Sequence, residues 1–209
     1  MLGIKRFVNG ILGANTYIIW EKESLEGCII DVGNAPDECV QFAAQYGIKV
    51  KYIILTHAHY DHVLFLDEYV KAFPDAVTAI HSADDAILDD PRLNCSLLFG
   101  SERRFGHCQL MLEEGSELMI GNTPLKVLHT PGHTEGSICI IADGRLLSGD
   151  TLFYDSYGRT DLGCGDIKKM AESLTRLFKL PDEWFVYPGH GTRTSIGREK
   201  LVNQFFYSH

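Results

Sequence analysis

Nowhere in these 209 residues does an apolar run approach the ~20 residues that a membrane helix needs, so no membrane partner is expected. Basic charge is scarce too. Lys and Arg number 19 against 28 Asp and Glu, a formal charge of −9. Phosphate backbones are bound by clustered cations, so a nucleic-acid partner is not expected either. No Pro-, Ser- or Gln-rich tract marks a linker, and no internal repeat recurs. One domain spanning residues 1–209 is the expectation, with room for a substantial core. The six cysteines (Cys28, Cys39, Cys95, Cys108, Cys139 and Cys164) are scattered without a C-x-x-C pair. The default for such a chain is reduced thiols, mostly in the core, with no obvious nucleophile. The opening residues carry a Lys-Arg pair, but Asn9, Gly13 and Asn15 break the apolar stretch and no small-residue cleavage site follows. A secretory signal is therefore not expected, and a cytoplasmic location is.

What the chain does have is THAHYDH at residues 56–62, which places His57, His59, Asp61 and His62 on one short stretch. Three of the nine histidines fall in this window, an excess that a scatter of packing or surface histidines does not produce. Neutral imidazole suits zinc, iron and manganese, and a carboxylate adds a hard oxygen donor. The stretch follows the apolar run KYIIL, which reads as a buried strand, and precedes VLFLDEYVKAF, whose apolar spacing predicts a helix over 63–73. Ligand sites of α/β folds gather at such strand ends.

Three later fragments share this pattern of a metal-capable side chain beside glycine after an apolar strand. HTPGHTEGS offers His133, LLSGDT offers Asp150 and VYPGHG offers His190. Together they make five His and two Asp. A tetrahedral ion wants about four donors, so seven suit two ions ~3.5–4 Å apart with one carboxylate shared. Two divalent ions leave such a site net positive, which favours an anionic transition state and makes hydroxide available near neutral pH.

Elsewhere, TYIIW and CIID read as strands within residues 1–33, DECVQFAAQYG as a helix closed by Gly47, and AVTAI, ELMI, LKVLHT, SICIIA, RLLSGD and WFVYPG as strands. DIKKMAESLTRLFKL predicts a helix capped by Asp166, and TSIGREKLVNQFF a last helix capped by Thr194 or Ser195. Residues 84–110 mix short apolar runs with Pro91 and Gly100 and yield no assignment. Strands followed by helices in each half predict a four-layer αββα sandwich.

The ordered set T-H-A-H-Y-D-H, P-G-H, S-G-D and P-G-H, from Asp31 to about Lys200, resembles the metallo-β-lactamase superfamily. Within it, GDTLF, GRTDL and YPGHGTRTSIGREK look like the small glyoxalase II-like hydrolases. The resemblance implies the αββα fold. It also implies one metal on His57, His59 and His133 and a second on Asp61, His62 and His190, with Asp150 bridging. Zinc is expected first, with iron or manganese as alternatives. The implied reaction is attack of metal-bound hydroxide on a thioester such as an S-2-hydroxyacyl-glutathione, or on a related ester or lactone, with Asp61 placed to take a proton. Asp31 is expected to accept a hydrogen bond from a metal-binding His.

Some features depart from the family pattern. Val63-Leu64-Phe65 replaces the usual small residues and could narrow the pocket. Only about 19 residues follow His190, so most of the glutathione-holding helical region of the longer enzymes is expected to be absent. Arg159, nine positions after Asp150, stands where those enzymes have Lys.

The expected partner is a small molecule, an anionic thioester, with Arg159 and Tyr157 as substrate contacts and an apolar wall at Leu97, Leu98 and Phe99 rimmed by Arg103 and Arg104. Arg193 and Arg198 are further candidates for holding an anion. A monomer or homodimer is expected. Two other readings compete: a persulfide dioxygenase-like mononuclear iron enzyme, which the G-R-T-D stretch also resembles, and a silent metal-binding domain blocked by Leu64 and Phe65. His81, His107 and His129 are read as non-ligands, the first two on the surface or in loops.

Overall fold

The computed structural model describes residues 1–8, 10 and 13–207, without the side chains of Phe206 and Tyr207. The reading of 1–33 as strands also covers Asn9, Ile11 and Leu12, which lie outside the described residues. Two sheets stack face to face. The first runs in the order β1 (Leu2–Phe7), β2 (Thr16–Glu21), β3 (Glu26–Ile30), β4 (Lys49–Ile54), β5 (Val77–His81) and β6 (Leu110–Leu112). The second runs in reverse chain order, with β7 (Glu117–Ile120), β8 (Thr123–His129), β9 (Ile138–Ala142), β10 (Arg145–Gly149), β11 (Phe185–Pro188) and β12 (Thr194–Ser195).

The layering follows from the period-2 alternation of strand side chains. Along the first sheet Ile18, Ile29 and Ile53 face outward, where α1 (Asp37–Tyr46), α3 (Leu66–Ala72) and α4 (Ser82–Leu88) supply Cys39, Ala43, Leu66, Tyr69, Ile87 and Leu88. Their neighbours Ile19, Ile30 and Ile54 face inward, against Leu125, Val127, Ile138 and Ile140 of the second sheet. On the far face of that sheet, Leu128, Cys139, Leu146 and Val186 meet Met170, Leu174 and Leu177 of α5 (Ile167–Leu177) and Ile196 of α6 (Ile196–Val202). This is the expected αββα sandwich.

Several local expectations hold in detail. Gly47 ends α1 at φ 65°. Asp166 caps α5, accepting from the amides of Lys168 and Lys169, and Ser195 caps α6. The predicted 63–73 helix needs correction. A single turn, α2 (Tyr60–Val63), comes first and α3 starts only at Leu66. The break arises because the Phe65 amide donates to the Val32 carbonyl instead of continuing a helical ladder. Residues 84–110, left unassigned, contain most of α4, a 3₁₀ turn at Ser96–Phe99 and the start of β6. No helix among the described residues is long and apolar enough to cross a membrane.

Strand direction gathers the site. β3 and β4 are parallel, β10 and β11 are parallel, and β8 and β10 each run antiparallel to β9. The segments that follow β3, β4, β8, β10 and β11 therefore emerge at one edge of the sandwich, bringing Asp31, residues 56–62, His133, Asp150 and His190 together.

Candidate metal centre

All seven predicted donors converge. Three groups have ligand atoms within 4.8 Å of one another: His57 with His59 and His133, His57 with His62 and Asp150, and Asp61 with His62 and His190. His57, His59, His62 and His133 are buried, whereas His190 and Asp61 are partly exposed.

The hydrogen bonds around His62, His133 and His57 assign their tautomers. His62 Nδ1–H donates to Asp31 Oδ2 at 2.8 Å, which leaves its Nε2 as the atom that takes up a proton or a metal ion. That nitrogen lies 3.2 Å from His190 Nε2 and 3.3 Å from Asp150 Oδ1. His133 Nδ1–H donates to the Arg159 carbonyl at 2.8 Å, so its Nε2 also points inward, 3.5 Å from Asp150 Oδ2. Thr56 Oγ1–H donates to Asp31 Oδ2 at 2.8 Å. The Thr56 hydroxyl therefore accepts from His57 Nδ1 at 3.1 Å, and His57 Nε2 is left buried with no partner. His59 Nε2 is likewise buried and unpartnered, while its Nδ1 lies 2.8 Å from His133 Nε2.

Electrostatics favour a cation here. Burial, with the neighbouring His62 and His133, pushes His57 well below the ordinary imidazole value. Burial brings His59 down to about 3. Both rings are therefore neutral at pH 7, as metal ligands must be. Burial opposes ionisation of Asp150, but the His62, His133 and His57 rings outweigh it and hold the carboxyl well below its usual range. For His62 burial acts against charge, yet Asp150, Asp61 and Asp31 raise it well above the usual value. In the metal-free chain a proton on His62 thus supplies the positive charge that three carboxylates demand. His190 Nε2 lies 3.0 Å from Asp61 Oδ2 as well as 3.2 Å from His62 Nε2; with the buried Nε2 atoms of His57 and His59 left without partners among the described residues, the donor set fits divalent metal.

Backbone shape limits what the loops can carry. A Cβ on Gly189 would sit 2.1 Å from Asp150 Oδ1 and 2.7 Å from His62 Cε1, so the glycine before His190 is required by the carboxylate it adjoins. The His190 loop is held from behind: Asn15 Nδ2 donates to the Pro188 carbonyl at 2.7 Å and the Gly191 carbonyl at 3.0 Å. Tyr17 Oη donates to Pro188 at 2.8 Å.

Three positioning residues were not anticipated. Thr56 links Asp31 to His57. Asn15 tethers the His190 loop. Asp84, fully buried in α4, accepts from the Ala58 amide at 3.0 Å, the Thr134 hydroxyl at 2.8 Å and the Gly136 amide at 2.6 Å. It thereby fastens the loop of His57 and His59 to the loop of His133.

A cavity of about 370 Å³ opens over the donors. Its walls include Leu98, Phe99, Phe153, Tyr157, Arg159 and Leu162 beside His59, Asp61, His133, Asp150 and His190. Leu98 and Phe99 stand exposed on the 3₁₀ turn, as an apolar wall requires. Leu97 lines a separate depression with Arg104. Arg103 pairs with Asp67 and lies over Phe105. The expected cationic rim at Arg103 and Arg104 is therefore absent from this cavity. Arg198 is engaged by Asp155 and Glu199, and Arg193 lies over Phe185, so neither faces the donors. Arg159 borders the cavity but forms a two-point pair with Asp161, at 2.6 and 2.8 Å. Val63 is buried in the outer core and Phe65 packs against it. Neither they nor Leu64 enters the cavity, so the bulk that replaces small residues there does not block the donors. His81 also departs from expectation. It is buried, caps α4 by accepting from the Ala83 amide, and stacks on His129 at 4.0 Å.

The family model described as the metallo-beta-lactamase superfamily matches residues 9–190. A probable metallo-hydrolase of Bacillus subtilis (strain 168), YqgX, is 34% identical over 96% of this chain and 96% of its own length. A hydroxyacylglutathione hydrolase, GloC, of Haemophilus influenzae is 30% identical over 93% of each. Among solved structures, the B3 metallo-beta-lactamase BLEG-1 superposes with a TM-score of 0.91 at 32% identity, over 97% of this chain and 99% of that one. TTHA1623 in a di-iron-bound form gives 0.84 at 33%, over 96% and 99%. ETHE1 from Myxococcus xanthus gives 0.79 at 28%, over 96% and 83%.

Proposed function

Since this chain belongs to the metallo-beta-lactamase superfamily and is a metallo-hydrolase of that family, we propose that it hydrolyses thioesters in the manner of glyoxalase II. Its centre would hold two divalent ions, zinc first. His57, His59 and His133 would hold one and Asp61, His62 and His190 the other, with Asp150 available to both. The observation that carries this reading is the reach of one carboxylate to both groups. Asp150 Oδ1 is 3.3 Å from His62 Nε2, and its Oδ2 is 3.5 Å from His133 Nε2 and 3.7 Å from His190 Nε2. The similarity to GloC supports the substrate class. When bound, such ions supply Lewis acidity toward a carbonyl oxygen and toward water.

The remaining chemistry belongs to the chain. Asp31 and the Arg159 carbonyl fix the tautomers of His62 and His133, which keeps both Nε2 lone pairs aimed inward. Asp61, whose ionised form the neighbouring His62 and His190 favour over the opposing effect of burial, is the carboxylate placed to take the proton of the attacking water. Leu98, Phe99 and Phe153 exclude solvent from an acyl group. A thiolate leaves readily without a strong general acid. Elemental analysis of metal-replete protein should give two ions per chain, with turnover on a panel of thioesters, lactones and phosphodiesters highest on thioesters. A single ion, or activity confined to phosphodiesters, would refute the reading.

Similarity to ETHE1 supports the second reading, a mononuclear iron oxygenase acting on a persulfide. One iron per chain with O₂ consumption on a persulfide would establish it in place of the hydrolase.

Arg159 provides a separate test of the anionic substrate. Its exposed pair with Asp161 is worth little and can be exchanged for a substrate carboxylate. Arg159→Ala should raise KM for anionic thioesters by roughly fivefold, with no change for neutral esters. Equal losses on both substrates would make Arg159 structural.

A further inference from the structure

Beyond the metal centre, on the far side of the strap that carries His190, lies a second cleft of about 340 Å³. Among the described residues six line it: Ile4, Arg6, Tyr17, Tyr187, Thr192 and Arg193. Two are arginines and none is acidic, in a chain where acidic residues outnumber basic ones 28 to 19. Most other arginines are spoken for: Arg103, Arg104, Arg145, Arg159, Arg176 and Arg198 each have a carboxylate within 4.0 Å. Among the described residues Arg6, Arg92 and Arg193 have none, and Arg92 lines the separate depression of Leu97 and Arg104.

The donors of Arg6 and Arg193 are also largely uncommitted. Arg6 spends one N–H on the Gly191 carbonyl, at 2.5 Å, of the five that a guanidinium carries. Arg193 lies over the Phe185 ring at 5.0 Å, a contact that takes up no hydrogen-bond acceptor. Burial raises the Tyr17 phenol, and the Arg6 charge is near enough to act against that effect. The two tyrosines, nearly fully buried and edge to face at 5.9 Å, form an aromatic wall, and Ile4 adds an aliphatic one.

We propose that this cleft binds a small organic anion, a phosphate ester or a carboxylate attached to an apolar group. The forked donors of Arg6 and Arg193 and the Thr192 hydroxyl take the anionic head, and Ile4, Tyr17 and Tyr187 take the apolar part. The site is distinct from the metal centre, yet Arg6 holds the carbonyl of the residue next to His190. An occupant that reorients Arg6 is therefore felt at the metal-binding strap.

The test uses the metal-loaded, isotope-labelled full chain, titrated with phenylphosphonate in one arm and benzoate in the other, and followed by amide chemical shifts. Saturable shifts at Arg6, Thr192 and Arg193 are expected below about 10 mM. A stronger response to phenylphosphonate assigns a phosphate ester, and a stronger response to benzoate assigns a carboxylate. The double variant Arg6→Gln/Arg193→Gln should weaken binding at these positions by about tenfold or more. Arg193→Gln alone, which leaves the Gly191 contact intact, should also weaken it. Shifts confined to Ala58 and Thr134 would mean that the anion binds only at the metal centre. That result, no saturation in either arm, or equal affinity in wild type and both variants would overturn the proposal.

Discussion

Asp150→Ala should lose both turnover and bound metal, more than any other single change at the centre. Its carboxylate is buried, held ionised, and reaches His62, His133 and His190 with its two oxygens. Alanine removes the anion common to both donor groups and leaves five imidazoles with only Asp61 to offset the two divalent ions of the proposed centre. Asp31→Ala is the comparison. Asp31 acts through His62 and Thr56, and losses of partners one step removed from a metal are about 10–100-fold in affinity or activity. Metal content after identical loading, measured beside kcat/KM, should therefore rank wild type above Asp31→Ala, and Asp31→Ala above Asp150→Ala. Comparable metal content in the two variants would sink the assignment of Asp150.

The contrast between Asp150 and Asp84 shows where sequence reading stops. Asp150 could be found because it follows an apolar strand and a glycine, and because histidine-rich fragments elsewhere needed a shared anion. Asp31 could be found because it ends a strand aimed at the same edge. Its backbone at φ 56° is unusual for a residue with a side chain, and the amide and hydroxyl of Thr56 anchor it there. Asp84 carries no such signal. It sits in ADDAILDD among three similar aspartates, and its partners are backbone and hydroxyl groups 26, 50 and 52 residues away. Only the packing of β5 and α4 under both loops brings them together.

The helix boundary at Leu66 was hidden for a related reason. Val63, Leu64 and Phe65 look like the first turn of an apolar helical face. The competing demand was the Val32 carbonyl, which takes the Phe65 amide and locks the turn of Asp61 and His62 against the strand end of Asp31. The Val32 amide in turn donates to the His62 carbonyl at 2.7 Å. The same double contact places Gly33 so close that a Cβ there would meet the Asp61 carbonyl at 1.9 Å. Periodicity reports which residues are buried. It does not report that the loop after a neighbouring strand has claimed a helix's first amide.

Asp84→Ala should be strongly destabilising although it removes no metal-binding atom. The substitution strands two buried amides, those of Ala58 and Gly136, each costing about 1–3 kcal/mol when left unsatisfied, while the Thr134 hydroxyl keeps Ser137 Oγ at 2.7 Å. Partial relaxation or water entry offsets some of this, so a net loss of about 3 kcal/mol is expected. For a chain of this size that corresponds to roughly 6–12 °C in Tm. Asp84→Asn should cost less, because burial raises the Asp84 carboxyl above its usual range and the amide carries no charge to bury. It cannot cost nothing: the oxygens of Asp84 receive N–H groups on both sides, from Gly136 and from Ala58, and the NH₂ of asparagine must face one of them. The functional effect follows from geometry. With the Ala58 and Gly136 amides released, His59 and His133 lose the shared anchor that sets their 2.8 Å separation, and metal affinity should fall by about 10–100-fold. Thermal melts of the metal-free variants isolate the stability effect, and competitive chelator titration of the loaded proteins isolates the affinity effect. A normal Tm with lost affinity would confine Asp84 to positioning the histidines. A lowered Tm with unchanged affinity would confine it to the fold, and no change in either would show that the loops are held by other contacts.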